Sequence, residues 1–186
     1  FSFSDSGVLT SMTDGSFRCE NESEFIKFAK SSDTWTATRK DGTIMRFGTT
    51  SESRIQDDTG RIFKWLLQEM TDTNGNAIQF TYKKKDAGFQ RYCTRIEYNP
   101  SATGSMTIQF EYESRPDIIT DYRPRFELKT AYRCTAIRMM AGEQPIRSYT
   151  LGYAATDNSQ PLSLLSRVIQ FGSEGTDSLP PAEFTY

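Results

Sequence analysis

Residues 64–82, KWLLQEMTDTNGNAIQFTY, read as two strands joined by a tight polar turn, and the rest of the chain repeats that pattern with variations. Asn74-Gly75 supplies the turn, because Gly, and Asn nearly as well, accept the positive φ that a tight hairpin connection needs. Ile78, Phe80 and Tyr82 alternate with Ala77, Gln79 and Thr81, which gives one apolar and one mostly polar face. A strict two-residue loop sets Glu69 opposite Phe80. One extra loop residue sets Met70 there instead, and the longer loop is the preferred reading.

Upstream, TWTATRK and TIMRFG flank Asp41-Gly42, the other strong two-residue hairpin pair. That loop predicts Thr38 opposite Met45 and Thr36 opposite Phe47. Asp57-Asp58-Thr59-Gly60 marks a further turn between this hairpin and the next. Residues 1–34 are the least regular, with Asp14-Gly15 as a turn and 25–29 as a short strand whose spacing also suits a helix.

Downstream, Tyr92, Thr94, Ile96 and Tyr98 share one face, a loop at 99–104 turns the chain, and Met106, Ile108, Phe110 and Tyr112 return. Arg115-Pro116-Asp117 and Arg123-Pro124 predict an irregular excursion between them. Residues 132–140 turn at Ala141-Gly142 into 146–153, and a polar loop follows at 157–160. LSLLSRVIQFG has helix-like leucine spacing, but Val168, Ile169 and Phe171 favour a strand. Pro180-Pro181 leads into a last short strand at 184–186. The expected fold class is all-β: repeated antiparallel hairpins forming a twisted, curled sheet rather than a closed barrel. Segment 1–34 supplies strands of the same domain, and 35–186 is the hairpin-repeat domain.

Composition supports this and narrows function. A chain of 186 residues suffices for one large β domain or two small ones, and one is simpler. Thirteen Phe and nine Tyr suit a pleated surface. The net charge of -2, from 22 basic and 24 acidic residues, gives no field that argues for nucleic acid or an anionic membrane. Lys83-Lys84-Lys85 reads as a solvated strand end. No apolar run approaches the ~18 residues of a membrane span. The sequence starts at Phe1 with no Met and no leader-like stretch, so a piece of a longer polypeptide is expected. Cys19, Cys93 and Cys134 are odd in number and widely spaced, which is neither a disulfide framework nor a CxxC metal site; at most one bridge forms, and which is left open. Histidine is absent, which removes Ser-His-Asp and Cys-His nucleophiles and His metal sites.

Recurrence at the strand ends is the organising feature. Phe80-Thr81-Tyr82, Phe110-Glu111-Tyr112 and Phe184-Thr185-Tyr186 share the form Phe-x-Tyr, and Ile96-Glu97-Tyr98 and Leu151-Gly152-Tyr153 are close variants. Such units cannot bury an apolar face alone and stack into extended sheets. Asp72-x-x-Gly75-Asn76-x-Ile78-x-Phe80-x-Tyr82 resembles the YD repeat of Rhs-type proteins. Trp35 with Asp41-Gly42-Thr43 and Phe47-Gly48, Trp65 with Asp72, and Phe110-x-Tyr112-x-x-Arg115-x-Asp117 widen the likeness. Ile146-Arg147-x-Tyr149-x-Leu151-x-Tyr153, Ser163-x-Leu165-Ser166 before Phe171-Gly172, and Leu179-Pro180-Pro181 before Phe184-x-Tyr186 continue it in order. The succession resembles the N-terminal domain shared by the Salmonella plasmid virulence protein B and the B components of insecticidal toxin complexes. That resemblance implies a section of the wall of a hollow β-shell, secreted or at the cell surface, that encloses or presents a toxic cargo polypeptide. The implied partners are the rest of a larger parent polypeptide or toxin-complex subunits. Bare strand edges predict edge-mediated self-association unless charge or Pro blocks it.

Candidate chemistry is sparse. Asp72-x-Asn74-x-Asn76 begins like a calcium loop, but Ala77 stands where the loop needs Gly and Lys83 where it needs a bidentate Glu, so a hairpin turn is the better reading. Glu20-x-Glu22-x-Glu24 resembles the Glu-x-Glu of ADP-ribosyltransferases, yet it precedes any matching Arg and Ser-Thr-Ser strand, the wrong order for that site. Arg115, Asp117, Arg123 and Arg125 form the most polar cluster, and Arg115 with Asp117 is read as a charge-assisted pin on a loop. Trp35 and Trp65 are core candidates, with a sugar-stacking platform as the alternative. No catalytic, cofactor-binding or metal residue is assigned, no cofactor is expected, and a non-enzymatic structural role is the reading. The alternative is a carbohydrate or cell-surface binding β-module.

Overall fold

The computed structural model describes residues 1–3, 7–21, 24–85, 88–100, 105–155 and 162–186. Glu22, the loop residues 101–104 and the polar loop 157–160 lie outside them. The chain forms two units, Phe1–Phe80 and Thr81–Tyr186.

The first unit is a run of short antiparallel strands: β1 (Ser2–Phe3), β2 (Gly7–Ser11), β3 (Phe17–Cys19), β4 (Lys27–Ser31), β5 (Thr34–Thr38), β6 (Ile44–Phe47), β7 (Arg54–Gln56), β8 (Ile62–Trp65), β9 (Leu67–Thr71) and the start of β10 (Ala77–Lys83). Their order is β1-β2-β3-β4-β5-β6-β9-β10, while β7 and β8 form a separate ribbon. The strand expected at 25–29 is β4, shifted two residues onward because Phe25 takes φ +54.

Four connections in this unit are the same turn. In 12–16, 39–43, 57–61 and 72–76 the first residue's N–H donates to the fifth residue's carbonyl at 2.8, 2.9, 3.2 and 3.0 Å. The Gly in fourth place donates back to the first residue's carbonyl. It does so from the left-handed region, at φ +78, +88, +84 and +85. This is a three-residue loop closed by a left-handed glycine. An aspartate holds each one. Asp14 and Asp41, in third place, accept the fifth residue's N–H at 2.9 Å each. Asp57 and Asp72, in first place, accept the N–H groups of both the third and the fifth residue.

That turn corrects both expected registers. Thr38 faces Ile44, Ala37 faces Met45 and Trp35 faces Phe47. Met70 faces Ile78 rather than Phe80, and Glu69 faces Gln79. Asn-Gly and Asp-Gly fill the last two places of a three-residue loop, so each ladder slips one step from a two-residue pairing. The shift turns Trp35, Ala37 and Met45 inward, where they join Cys19, Ile26 and Phe28 in one buried cluster. The Trp35 ring meets Phe1, Phe17 and Trp65 edge-on at 4.9, 5.0 and 6.2 Å.

The second unit has longer strands: β11 (Tyr92–Tyr98), β12 (Met106–Asp121), β13 (Leu128–Ala141), β14 (Gln144–Ala155), β15 (Ser163–Phe171) and β16 (Ala182–Glu183), paired in that order. Apolar residues line up across the ladders, Ile96 with Ile108 and Met139, Phe110 with Ile137 and Tyr149. Neither unit closes into a barrel, and the expected open, curled all-β sheet is what forms.

Two expectations need correction here. The excursion predicted around Arg115-Pro116-Asp117 is a continuation of β12, which runs on to Asp121 with a register shift between Ser114 and Ile119. Pro116 sits inside that shift, where a missing N–H costs the ladder little. The final strand is at Ala182–Glu183 rather than 184–186. Pairing with β15 extends on both sides of the prolines, through Leu179 N–H to Gln170 and Phe184 N–H to Ser166.

Candidate functional site

The most developed polar constellation is in the second unit. The register shift in β12 frees Asp117 from the ladder. The Arg115 guanidinium donates to it twice, Nε to Oδ1 at 3.0 Å and Nη2 to Oδ2 at 2.8 Å. Asp117 then reaches the start of β15, accepting the Ser163 N–H at 2.7 Å and the Ser163 hydroxyl. Arg133 of β13 donates Nη1 to Ser163 Oγ at 2.7 Å and Nε to Glu113 at 2.7 Å, with its guanidinium 4.5 Å from the Tyr153 ring centre. Strands β13 and β14 lie between β12 and β15, so a flat sheet would separate these residues by about 14 Å. Their contact is a direct expression of curl.

The Arg115 hydrogen bonds hold the Asp117 carboxyl far below the usual carboxylate range; burial opposes them and Ser163 adds to them. The same pairing raises Arg115. Each Asp117 oxygen has two donors, which leaves no lone pair aimed at a ligand or a substrate proton. The arrangement acts as a clamp. The pin read between Arg115 and Asp117 is thus present, whereas Arg123 pairs with Asp121 at 2.7 Å apart from it. Ser163, Arg133 and Glu113 were not legible as partners, because 46 residues separate Ser163 from Asp117.

The remaining candidates resolve into local structure. Asp72 accepts Asn76 Nδ2 at 2.7 Å besides the two turn N–H groups. The Asn76 side chain, against some opposing burial, holds its carboxyl low. Among the described residues no three of His, Cys, Asp or Glu gather as metal ligands. Glu24 lies 3.8 Å from Arg39. Trp35 is 6% exposed, and the Trp65 indole N–H donates to the Asp33 carbonyl at 2.8 Å, so the two rings pack on each other rather than offer a flat platform. Lys84 and Lys85 lie over the Phe89 and Tyr112 rings. All three cysteines are free, and burial pushes the Cys93 and Cys134 thiols up. Cys93 in β11 and Cys134 in β13 have β12 between them, about 10 Å apart and beyond the ~7 Å limit for a bridge.

These features define a class first: an open, antiparallel all-β module whose best-developed polar cluster, among the described residues, ties its own strands together. The particular relatives follow from comparison. Residues 14–102 match the family model described as Salmonella virulence plasmid 65kDa B protein, SpvB. The N-terminal domain of effector protein SpvB from Salmonella typhimurium strain LT2 has the same fold, with a TM-score of 0.69 at 16% identity over 92% of this chain and 77% of that one. So do the crystal structure of TcdB2-TccC3-Cdc42, at 0.74 and 19% identity, and the Photorhabdus luminescens Tc holotoxin pore, at 0.76 and 21% identity. The chain is covered over 96% and 92% in these, but spans only 12% and 11% of the toxin chains. No curated protein sequence matches. The resemblance drawn from the sequence is thereby shown, in sequence over 14–102 and in fold over nearly the whole chain.

Proposed function

We propose that the chain is a non-catalytic section of the wall of a toxin-complex type β-shell, secreted or at the cell surface, which encloses or presents another polypeptide. The observation that carries this reading is the fold match over 92% of the chain to about a tenth of a far larger toxin chain. A wall works by geometry. Ladders hold main-chain polar groups, a clamp such as Arg115–Asp117–Ser163 sets curvature, and no side chain has to do covalent chemistry. Its partners are then the remainder of a larger polypeptide and the enclosed cargo. Edge-to-edge self-association is a further part of the reading, opposed at the last segment by Pro180 and Pro181, which offer no N–H.

Cryo-electron microscopy of the native polypeptide isolated from its source tests the reading. Residues 1–186 are expected to form one stretch of a hollow β wall with polypeptide density inside. A solid particle, or a chain lying apart from any cavity, would overturn it.

A further inference from the structure

Three tyrosines of the second unit make the same bond. Tyr112 of β12 donates its hydroxyl to the Cys93 carbonyl of β11 at 2.7 Å, and Tyr153 of β14 to the Cys134 carbonyl of β13 at 2.6 Å. Tyr186 donates to the Leu165 carbonyl of β15 at 3.0 Å. The three bonds are linked by the ladders, since Tyr112 lies opposite Cys134 and Tyr153 opposite Leu165. The path Cys93, Tyr112, Cys134, Tyr153, Leu165, Tyr186 therefore crosses the unit at right angles to its strands. It alternates a hydroxyl bond back to the preceding strand with a backbone pair to the following one.

Both ladder steps on this path fall at register shifts, between Glu111 and Tyr112 and between Gly152 and Tyr153. A bulge disrupts the local ladder, so an extra bond from the same residue has most effect there. The acceptors are main-chain carbonyls, which is why Cys, Cys and Leu serve alike, whereas each donor must be a tyrosine hydroxyl. The sequence carries the path as Cys93-Thr94-x-Ile96 and Cys134-Thr135-x-Ile137, each with its tyrosine 19 residues on, followed by Leu165-Ser166-x-Val168 and Tyr186.

Most side chains on these strands are only half-buried. Among the described residues of the second unit, the buried hydrophobics are Tyr92 and Leu128. We propose that the tyrosine hydroxyl path makes β11 to β15 a single cooperative unit, so that loosening one link loosens strands that the link itself does not touch. This inference stands independently of the shell reading.

Residue-resolved amide hydrogen exchange on the whole chain tests it, comparing wild type with Tyr112→Phe and Tyr153→Phe. Both variants keep the ring and delete one hydroxyl bond. Exchange should quicken about five- to tenfold, as for loss of one ordinary hydrogen bond. In Tyr153→Phe the faster exchange should extend from the β13–β14 hairpin into β12 and β15, and in Tyr112→Phe from β11–β12 into β13 and β14. Amides of β4 to β6 should keep their rates. Tyr98→Phe, at a ring 46% exposed and off the path, should match wild type. The proposal is overturned if the change stays within the two strands that each deleted bond joins, spreads equally to β4–β6, or is absent.

Discussion

Both tryptophans and eight of the thirteen phenylalanines lie in residues 1–80, while all nine tyrosines lie in 81–186. The first unit joins short strands through one repeated turn and one aromatic cluster, and the second joins long strands through hydroxyl bonds and a buried ion pair. Phe stabilises by burial alone, and it collects where short strands can be wrapped around a common centre. A tyrosine brings a hydroxyl that needs a partner when buried: Tyr112, Tyr153 and Tyr186 donate theirs to a carbonyl of a neighbouring strand, and the buried Tyr92 hydroxyl accepts the Ala131 and Tyr132 N–H groups. The difference gives each unit its own optical reporter, tryptophan fluorescence for the first and tyrosine for the second.

The largest effect expected from this comparison is at Phe28. Its side chain is 2% exposed and packs on Phe3 with ring centres 5.1 Å apart. Phe28→Ala should cost the first unit about 3–5 kcal/mol, as emptied aromatic core sites do. Leu151→Ala, at a half-buried position of β14, should cost the second unit about 1–2 kcal/mol. Urea unfolding followed through the two tryptophans and through the tyrosines measures both. Equal losses would break the contrast between a core-held and a seam-held unit.

Next in size is the clamp. Asp117 and Arg115 have side chains 6% and 14% exposed, so Asp117→Ala leaves a guanidinium and the Ser163 N–H short of their acceptor. The expected cost is about 2–3 kcal/mol. The sign with pH follows from the depressed carboxyl: the contribution is complete above about pH 4, the ordinary Asp value, and fades as pH falls toward the folded-state value. Wild type should therefore lose stability on acidification below about pH 4 more steeply than Asp117→Ala. A parallel acid limb in the two proteins would show that the pair contributes nothing.

A smaller effect separates two copies of the repeated turn. Gly42 and Gly75 take φ +88 and +85, but a Cβ at Gly42 would lie 2.5 Å from Thr73 Cγ2, while at Gly75 it would meet open space. Gly75→Ala should cost about 1 kcal/mol for its backbone conformation alone and Gly42→Ala about 2 kcal/mol. Thr73→Ser removes the clashing methyl and should bring the two alanine variants level. If they remain unequal on that background, the turns differ in backbone strain and are not copies of one device.

The long strands of the second unit were legible because alternation survives in short windows, and Tyr92 to Tyr98 and Ile146 to Tyr153 read as strands on sight, whereas β1, β2, β3 and β7 of the first unit are two to five residues long and too short to show a period. Register was not legible at Asp41-Gly42 or Asn74-Gly75. Either dipeptide fits a two-residue loop, and the three-residue loop is decided by aspartate oxygens taking main-chain N–H groups, which alternation does not record. The Arg115–Asp117 pair was legible from its two-residue spacing, but its anchor on Ser163 depends on how far the sheet curls. The tyrosine path had a signal available, the repeated Cys-Thr-x-Ile, whose equal distance to Tyr112 and Tyr153 marks equivalent positions in successive hairpins.

The smallest expected effect sharpens what the clamp contributes. Arg138 and Glu111 pair across β13 and β12 at 2.6 Å, closer than the 2.8 Å of the Arg115–Asp117 ion pair, with side chains 51% and 50% exposed. Water already solvates both charges, so their attraction is screened and offset by the entropy of holding two long side chains in place. Arg138→Gln should change the tyrosine-detected free energy of urea unfolding by no more than about 0.5 kcal/mol, and the change should vanish in high salt. The Asp117→Ala loss should persist there, because both of its partners are largely withdrawn from solvent. If salt removes the two effects alike, Asp117 acts as a surface charge, and the curl between β12 and β15 must be held by the strands themselves.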